Sequence, residues 1–185
     1  MNKINLISRF TYNQILISSG IITIILFLVL SYFDIPLKTT VAPNGFISFE
    51  LAKNIDTSIS IISSWDLTAK INAGLSLGID FLFLAVYSIF FASACFLIAQ
   101  KFINQNDWLY KTGLLLAKLQ FVVVLFDAIE NVALIQLLLG SYNGLYSSIA
   151  YYFASIKFII IAVCIIYIII GLLTSLIQKR SVPNS

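Results

Sequence analysis

The chain has 185 residues, 60% of them hydrophobic and 10% charged, with a formal net charge of +3 and no histidine. A soluble domain carries roughly 25% charged residues, so this composition, with a mean hydropathy of +1.00, describes a membrane protein. Without imidazole there is neither a Ser-His triad nor a His-ligated metal, and the basic residues are too scattered to form a nucleic-acid footprint.

Four apolar runs, residues 14–33, 71–100, 112–140 and 149–178, are each long enough for a hydrocarbon core that about 20 helical residues cross. Backbone groups in lipid must pair internally. The expected architecture is therefore all-α: an antiparallel four-transmembrane-helix bundle forming a single membrane domain over residues 1–185.

The first run follows Lys3 and Arg9 as the core of a signal peptide would, but it is too long for one. Ser31-Tyr32-Phe33-Asp34 also offers no small-residue cleavage site, so a retained anchor is expected. Lys3, Arg9, Lys101, Lys111, Lys179 and Arg180 fall on one side of the four-span arrangement, and Lys38, Lys53 and Lys70 on the other. The excess of positive charge predicts a multi-pass protein of the cell (inner) membrane with both termini in the cytoplasm.

Asp34 to Lys70 is then extracytoplasmic. Pro43-Asn44-Gly45 marks a turn. After it, in residues 46–65, Leu51, Ile55, Ile59 and Ile62 recur at helical spacing while Lys53, Asp56, Ser60 and Ser63 fall mostly elsewhere. That pattern predicts an amphipathic helix lying on the outer interface or capping the bundle. Trp65 ends it where an interfacial aromatic belongs, as do Tyr142, Tyr146, Tyr151 and Tyr152 on that side and Trp108 and Tyr110 on the other.

In the second span Gly74 and Gly78 form a GxxxG, expected to serve close packing within the chain. The connections KFINQNDWLYK and SYNGLYSS are short and polar, as antiparallel neighbours require. Cys95 and Cys164 lie in separate spans without CxxC spacing, which argues against a disulfide framework or a zinc site.

The remaining polar residues are concentrated in depth. At about 1.5 Å per residue from the outer ends, Lys157 lies roughly 12 Å in, Asp80 roughly 13 Å, Glu130 roughly 15 Å and Asp127 roughly 20 Å. Asp127, Glu130 and Asn131 share one helix face, with Gln120 two turns below. Asn72, Ser76, Asp80 and Tyr87 form a comparable stripe on the second span. Buried charge costs about 2.5–3.5 kcal/mol per residue even on the lenient insertion scale, so these groups need pairing, protonation, water or a bound cation. Crowded carboxylates titrate as a group rather than singly.

Asp80, Asp127, Asn131 and Lys157 could simply form a buried network that holds the helices in register. An intramembrane ionisable residue is nevertheless a functional candidate by default. Glu50 and Asp66 have local alternatives, as a first-turn acid and a helix cap, but both lie above the cluster, where they could close a cavity. Lys118, about 9 Å from the inner end, is expected to snorkel and is left out of the site.

The order Phe49-Glu50-Leu51-Ala52, Ser64-Trp65-Asp66, Gly78-Ile79-Asp80-Phe81-Leu82-Phe83 and Asp127-Ala128-Ile129-Glu130-Asn131-Val132-Ala133-Leu134 resembles a group of uncharacterised small four-helix bacterial integral membrane proteins. The resemblance implies that Glu50, Trp65, Asp66, Asp80, Asp127, Glu130 and Asn131 belong to one constellation, and it brings no established activity. The architecture is also similar to four-helix membrane proteins of the sterol-isomerase and sigma-2-receptor type, which bind hydrophobic amines or sterols beside buried acids. Their characteristic motifs are absent, so that likeness concerns the fold alone.

The leading expectation is a binding protein for a small hydrophobic or amphiphilic ligand, a lipid or an amine, entering from the outer leaflet among membrane lipids. The ligand-binding candidates are Asp80, Asp127, Glu130, Asn131, Lys157, Glu50, Trp65 and Asp66. The alternative is an intramembrane enzyme with Asp127, Glu130 and Asp80 as acid and base, or with Mg or Ca held by carboxylate oxygens and no other cofactor. A cation or proton pathway follows. An accessory subunit, with a membrane-protein partner or as a homo-oligomer, is the fourth.

Overall fold

The computed structural model describes the backbone of residues 6–180 and the side chains of 10–177. The side chains of Lys3, Arg9, Lys179 and Arg180, which dominate the charge asymmetry, lie outside the described residues. Six helices follow in order: α1 (Leu6–Asp34), α2 (Phe46–Glu50), α3 (Ile55–Ser64), α4 (Leu67–Lys101), α5 (Asp107–Leu138) and α6 (Gly144–Arg180), with a 3-10 turn over Ile35–Leu37 and no strand among the described residues. Four of them, α1, α4, α5 and α6, are long and apolar enough to cross a membrane. The chain is thus an all-helical membrane-spanning protein.

Side chains that accept from free helix N–H groups set the starts. Asn54 accepts from Thr57 N at 2.8 Å, Asp66 from Ala69 N at 2.7 Å and Asn106 from Leu109 N at 3.1 Å. At the end of α5, Gly140 adopts φ +91°, the left-handed conformation that stops a helix at little steric cost for glycine.

α4 is the central helix. It packs along α1 and α5, while α6 packs along α5 and, over a shorter stretch, on α4. Only 6% of the apolar window of α1 is buried, against 39% for α4 and for α5, so α1 leans on α4 from the side. At one end, hereafter the cap end, α2 and α3 fold over the start of α4, the end of α5 and the start of α6, burying Phe49, Ile61, Ile62 and Trp65 against Ala73, Leu77, Leu134, Leu137 and Ala150. At the opposite end Cys95, Ile98, Phe102, Leu109, Leu116, Cys164 and Tyr167 form a second core. There Gly113 makes room for Tyr167, whose hydroxyl a Cβ at 113 would overlap.

Residues 46–65 form two helices rather than the single amphipathic one that periodicity predicts. The chain leaves the helix at Leu51 and restarts at Ile55 because Asn54 uses its side chain and extended backbone to cap α3, which no residue can do inside a continuous helix. The expected apolar stripe rotates accordingly. Leu51 is exposed, and Ser58, Ile61, Ile62 and Trp65 face inward. Ser58 also meets Ser147 of α6, hydroxyl to hydroxyl, at 2.9 Å.

The GxxxG of α4 does not serve packing within the chain. A Cβ at Gly78 would meet nothing within 4 Å, and one at Gly74 only Leu138 at 3.9 Å. The close helix approaches are made elsewhere, at Gly113 and at Gly171 against Ile98.

Candidate functional site

Lys157, in the first half of α6, is buried with its ammonium surrounded by carboxylates. Asp127 Oδ1 lies 2.9 Å from Nζ, Glu130 Oε2 and Oε1 lie 3.0 and 3.1 Å away, and Glu50 Oε1 lies 3.4 Å away. Asp127 and Glu130 reach one point because i and i+3 share a helix face. Glu50 arrives from the cap: Phe49 is fully buried beside Trp65, and the helix ends at the next residue, leaving the Glu50 side chain to reach α6.

A second layer of hydrogen bonds surrounds this point. Tyr87 donates its hydroxyl to Asp127 Oδ2 at 2.7 Å, and Asn131 donates Nδ2 to Asp80 Oδ2 at 2.7 Å. The sharing is incomplete: Glu130 Oε2, although near Nζ, makes no hydrogen bond, and neither does Asn131 Oδ1. Burial pushes the Glu50 carboxyl above its usual range, against the opposing pull of Lys157. Four carboxylates, those of Glu50, Asp80, Asp127 and Glu130, stand near a single ammonium, so the group has more acid than Lys157 neutralises.

This group forms one wall of a cavity of about 650 Å³. Ser76, Asp80, Phe83, Tyr87 and Phe91 line it down one face of α4; Thr23, Ile24, Phe27, Leu30 and Ser31 line it from α1; Lys157, Phe158 and Ile161 line it from α6. Glu50 and Phe46 close the cap end, beside the Asp34 and Lys38 pair at 3.5 Å. The cavity exists because α1 follows α4 and leaves the face of α4 towards α6 uncovered. Its carboxylates and most of its other charged groups lie towards the cap and most of its aromatic side chains deeper, a distribution suited to an amphiphile.

Of the residues expected at the site, the structure brings together Glu50, Asp80, Asp127, Glu130, Asn131 and Lys157. Trp65 and Asp66 are not brought there. Trp65 is buried in the cap core and donates Nε1 to Leu37 O at 2.9 Å, and Asp66 caps α4. Asn72 leaves its stripe as well, donating to Thr68 O of its own helix. Gln120 is buried two turns away, donating to Cys164 Sγ at 3.1 Å, and Lys118 is exposed. Sequence reasoning missed Tyr87 as a partner of Asp127, although it stands two turns from Asp80 on one stripe. It also missed the wall from α1, whose Thr23 and Ser31 carried no signal in an apolar run.

Among the described residues no three His, Cys, Asp or Glu side chains are grouped to hold a metal ion. The physical reason is at hand: the ammonium of Lys157 occupies the point where three carboxylates converge. Neither models of protein families, nor curated proteins, nor solved structures match the chain.

Proposed function

We propose that this protein binds a small amphiphile in the cavity between α1 and α6. The observation that carries the reading is the cavity itself: about 650 Å³, carboxylates and hydroxyls near its closed end, aromatic and aliphatic side chains below. Pockets of roughly 300–1,000 Å³ suit single small molecules. The ammonium already among the carboxylates favours an organic ligand over Mg or Ca, and no nucleophile or phosphate-binding loop accompanies the acids to favour an enzyme.

In the same reading α1, α4, α5 and α6 alternate in direction as an antiparallel bundle in the cell membrane. The cap of α2 and α3 faces the outside, and both termini lie in the cytoplasm. Short connections at 102–106 and 139–143 support the alternation, and the Lys and Arg asymmetry supports the orientation. The amphiphile then enters from the outer leaflet through the side of the bundle, because α1 and α6 are not packed along one another.

Native mass spectrometry of the purified protein, with thermal unfolding against a panel of neutral, zwitterionic and cationic amphiphiles, tests the proposal. A bound molecule that raises the melting temperature of the parent, and is excluded by Leu30→Trp filling the cavity, supports it. A parent that retains no amphiphile and responds to none overturns it.

A further inference from the structure

The four carboxylates of the site are not equivalent. Asp127, Glu130 and Glu50 all reach Lys157, at 2.9, 3.0 and 3.4 Å, so the one ammonium serves three acids. Asp80 does not reach it. Its partner is the neutral amide of Asn131 on Oδ2, and its other oxygen has no hydrogen bond among the described residues. Asp80 lines the cavity directly, whereas Glu130 and Asn131 stand behind the wall. A carboxylate facing a largely apolar cavity without a cation of its own is an incomplete ion pair, costly unless something completes it.

A second observation points to a polar group at the same place. Ser76, one turn from Asp80 and lining the cavity, is only 5% exposed, yet its hydroxyl has no hydrogen-bond partner among the described residues. Polar groups of buried residues are normally satisfied, and here one hydroxyl and one carboxylate oxygen, a helical turn apart, are left over on one wall of the cavity. A group that offers several N–H donors and a positive charge completes both, and a primary ammonium does so with its three protons.

Below that height the lining changes character. From Ser76 to Phe91 the α4 wall runs about 22 Å at 1.5 Å per residue, and its lower part carries Phe83, Tyr87 and Phe91 opposite Ile24 and Phe27 of α1 and Ile161 of α6. That stretch suits a hydrocarbon chain.

We infer that the ligand is a cationic amphiphile, a protonated primary amine on a hydrocarbon chain, and that Asp80, with the hydroxyl of Ser76, is its head-group site. This rests on the cavity reading above and adds the ligand's charge and direction: ammonium towards the cap, chain towards Phe91. Asp127, Glu130 and Glu50 hold Lys157; Asp127 and Glu50 also line the cavity, with their charge already shared with that ammonium.

The test compares dodecylamine with dodecanol, equal in chain and different in charge, on the parent, Asp80→Asn and Asp80→Glu. The proteins are held in phosphatidylcholine nanodiscs, with binding measured relative to protein-free discs. Hydrogen bonds to charged groups are worth about 1.5–3 kcal/mol, so the parent should bind the amine at least about tenfold more tightly than the alcohol. Asp80→Asn should lose that preference while still binding the alcohol, and Asp80→Glu should keep it. Equal binding of amine and alcohol by the parent overturns the inference and leaves the cavity reading standing, a result that needs no variant to fold. An Asp80→Asn protein that still prefers the amine also overturns it. If neither molecule binds the parent, the cavity reading fails and this inference with it. Phosphatidylethanolamine added to the discs separates the two sources of the head group: competition with dodecylamine supports a membrane aminolipid at Asp80, and its absence beside tight amine binding supports a free single-chain amine.

Discussion

Lys157→Met removes the ammonium on which the polar core converges and leaves a side chain of similar length in its place. Three carboxylates within 3.4 Å of Nζ then lose the cation they share, and each is buried. Breaking one buried ion pair by deleting a partner costs about 3–5 kcal/mol, because the remaining charge is left uncompensated. Three contacts do not cost three times that, since they share one nitrogen and protons can replace it. For a chain of this size about 1 kcal/mol corresponds to roughly 2–4 °C, so a fall of about 6–20 °C is expected. Thermal unfolding followed by circular dichroism in one detergent at fixed pH measures it. Adding Asp127→Asn and Glu130→Gln to Lys157→Met removes the stranded acids and should recover most of the loss. A Lys157→Met protein melting within about 2 °C of the parent would refute the reasoning, since it would mean that the carboxylates are not held as anions by this lysine.

Two further predictions concern the segments around the cavity. Gly45 has φ +57° and carries the backbone into the carboxylate of Asp34, which accepts from Phe46 N at 2.6 Å. Gly45→Ala should therefore destabilise by at least about 1–3 kcal/mol in the same melting assay. Gly78→Ala, in open space on a helix, should be neutral or stabilising by up to about 1 kcal/mol; the reverse ranking would contradict the packing described. Glu50 supplies the pH dependence. Its folded-state pKa is raised above 4.5, chiefly by burial, so its contribution to stability is complete below that value and is lost as pH rises through the raised one. Glu50→Gln cannot ionise. It should flatten the decline in melting temperature with rising pH and, at neutral pH, match or exceed the parent; parallel curves for the two proteins would count against a Glu50 carboxyl whose titration burial has raised.

Four spanning helices were legible because lipid imposes two rules that composition alone satisfies or fails: about 20 apolar residues per span, and backbone groups paired within the segment. The similar depths of Asp80, Asp127, Glu130 and Lys157 followed from the constant rise of a helix, as did the shared face of Asp127, Glu130 and Asn131. Rotation of one helix against another has no such local rule. Gly74 and Gly78 carry a packing motif yet make no close helix approach, while Gly113, in no motif, admits Tyr167. Chain breaks outside the spans were equally hidden. Periodicity continued through Leu51, where the backbone turns, and that turn is what frees Glu50 to reach a lysine 107 positions later. Which acid faces the cavity and which faces Lys157 depends on the gap between α1 and α6. That gap is a relation between distant segments, and no window of residues along either helix contains it.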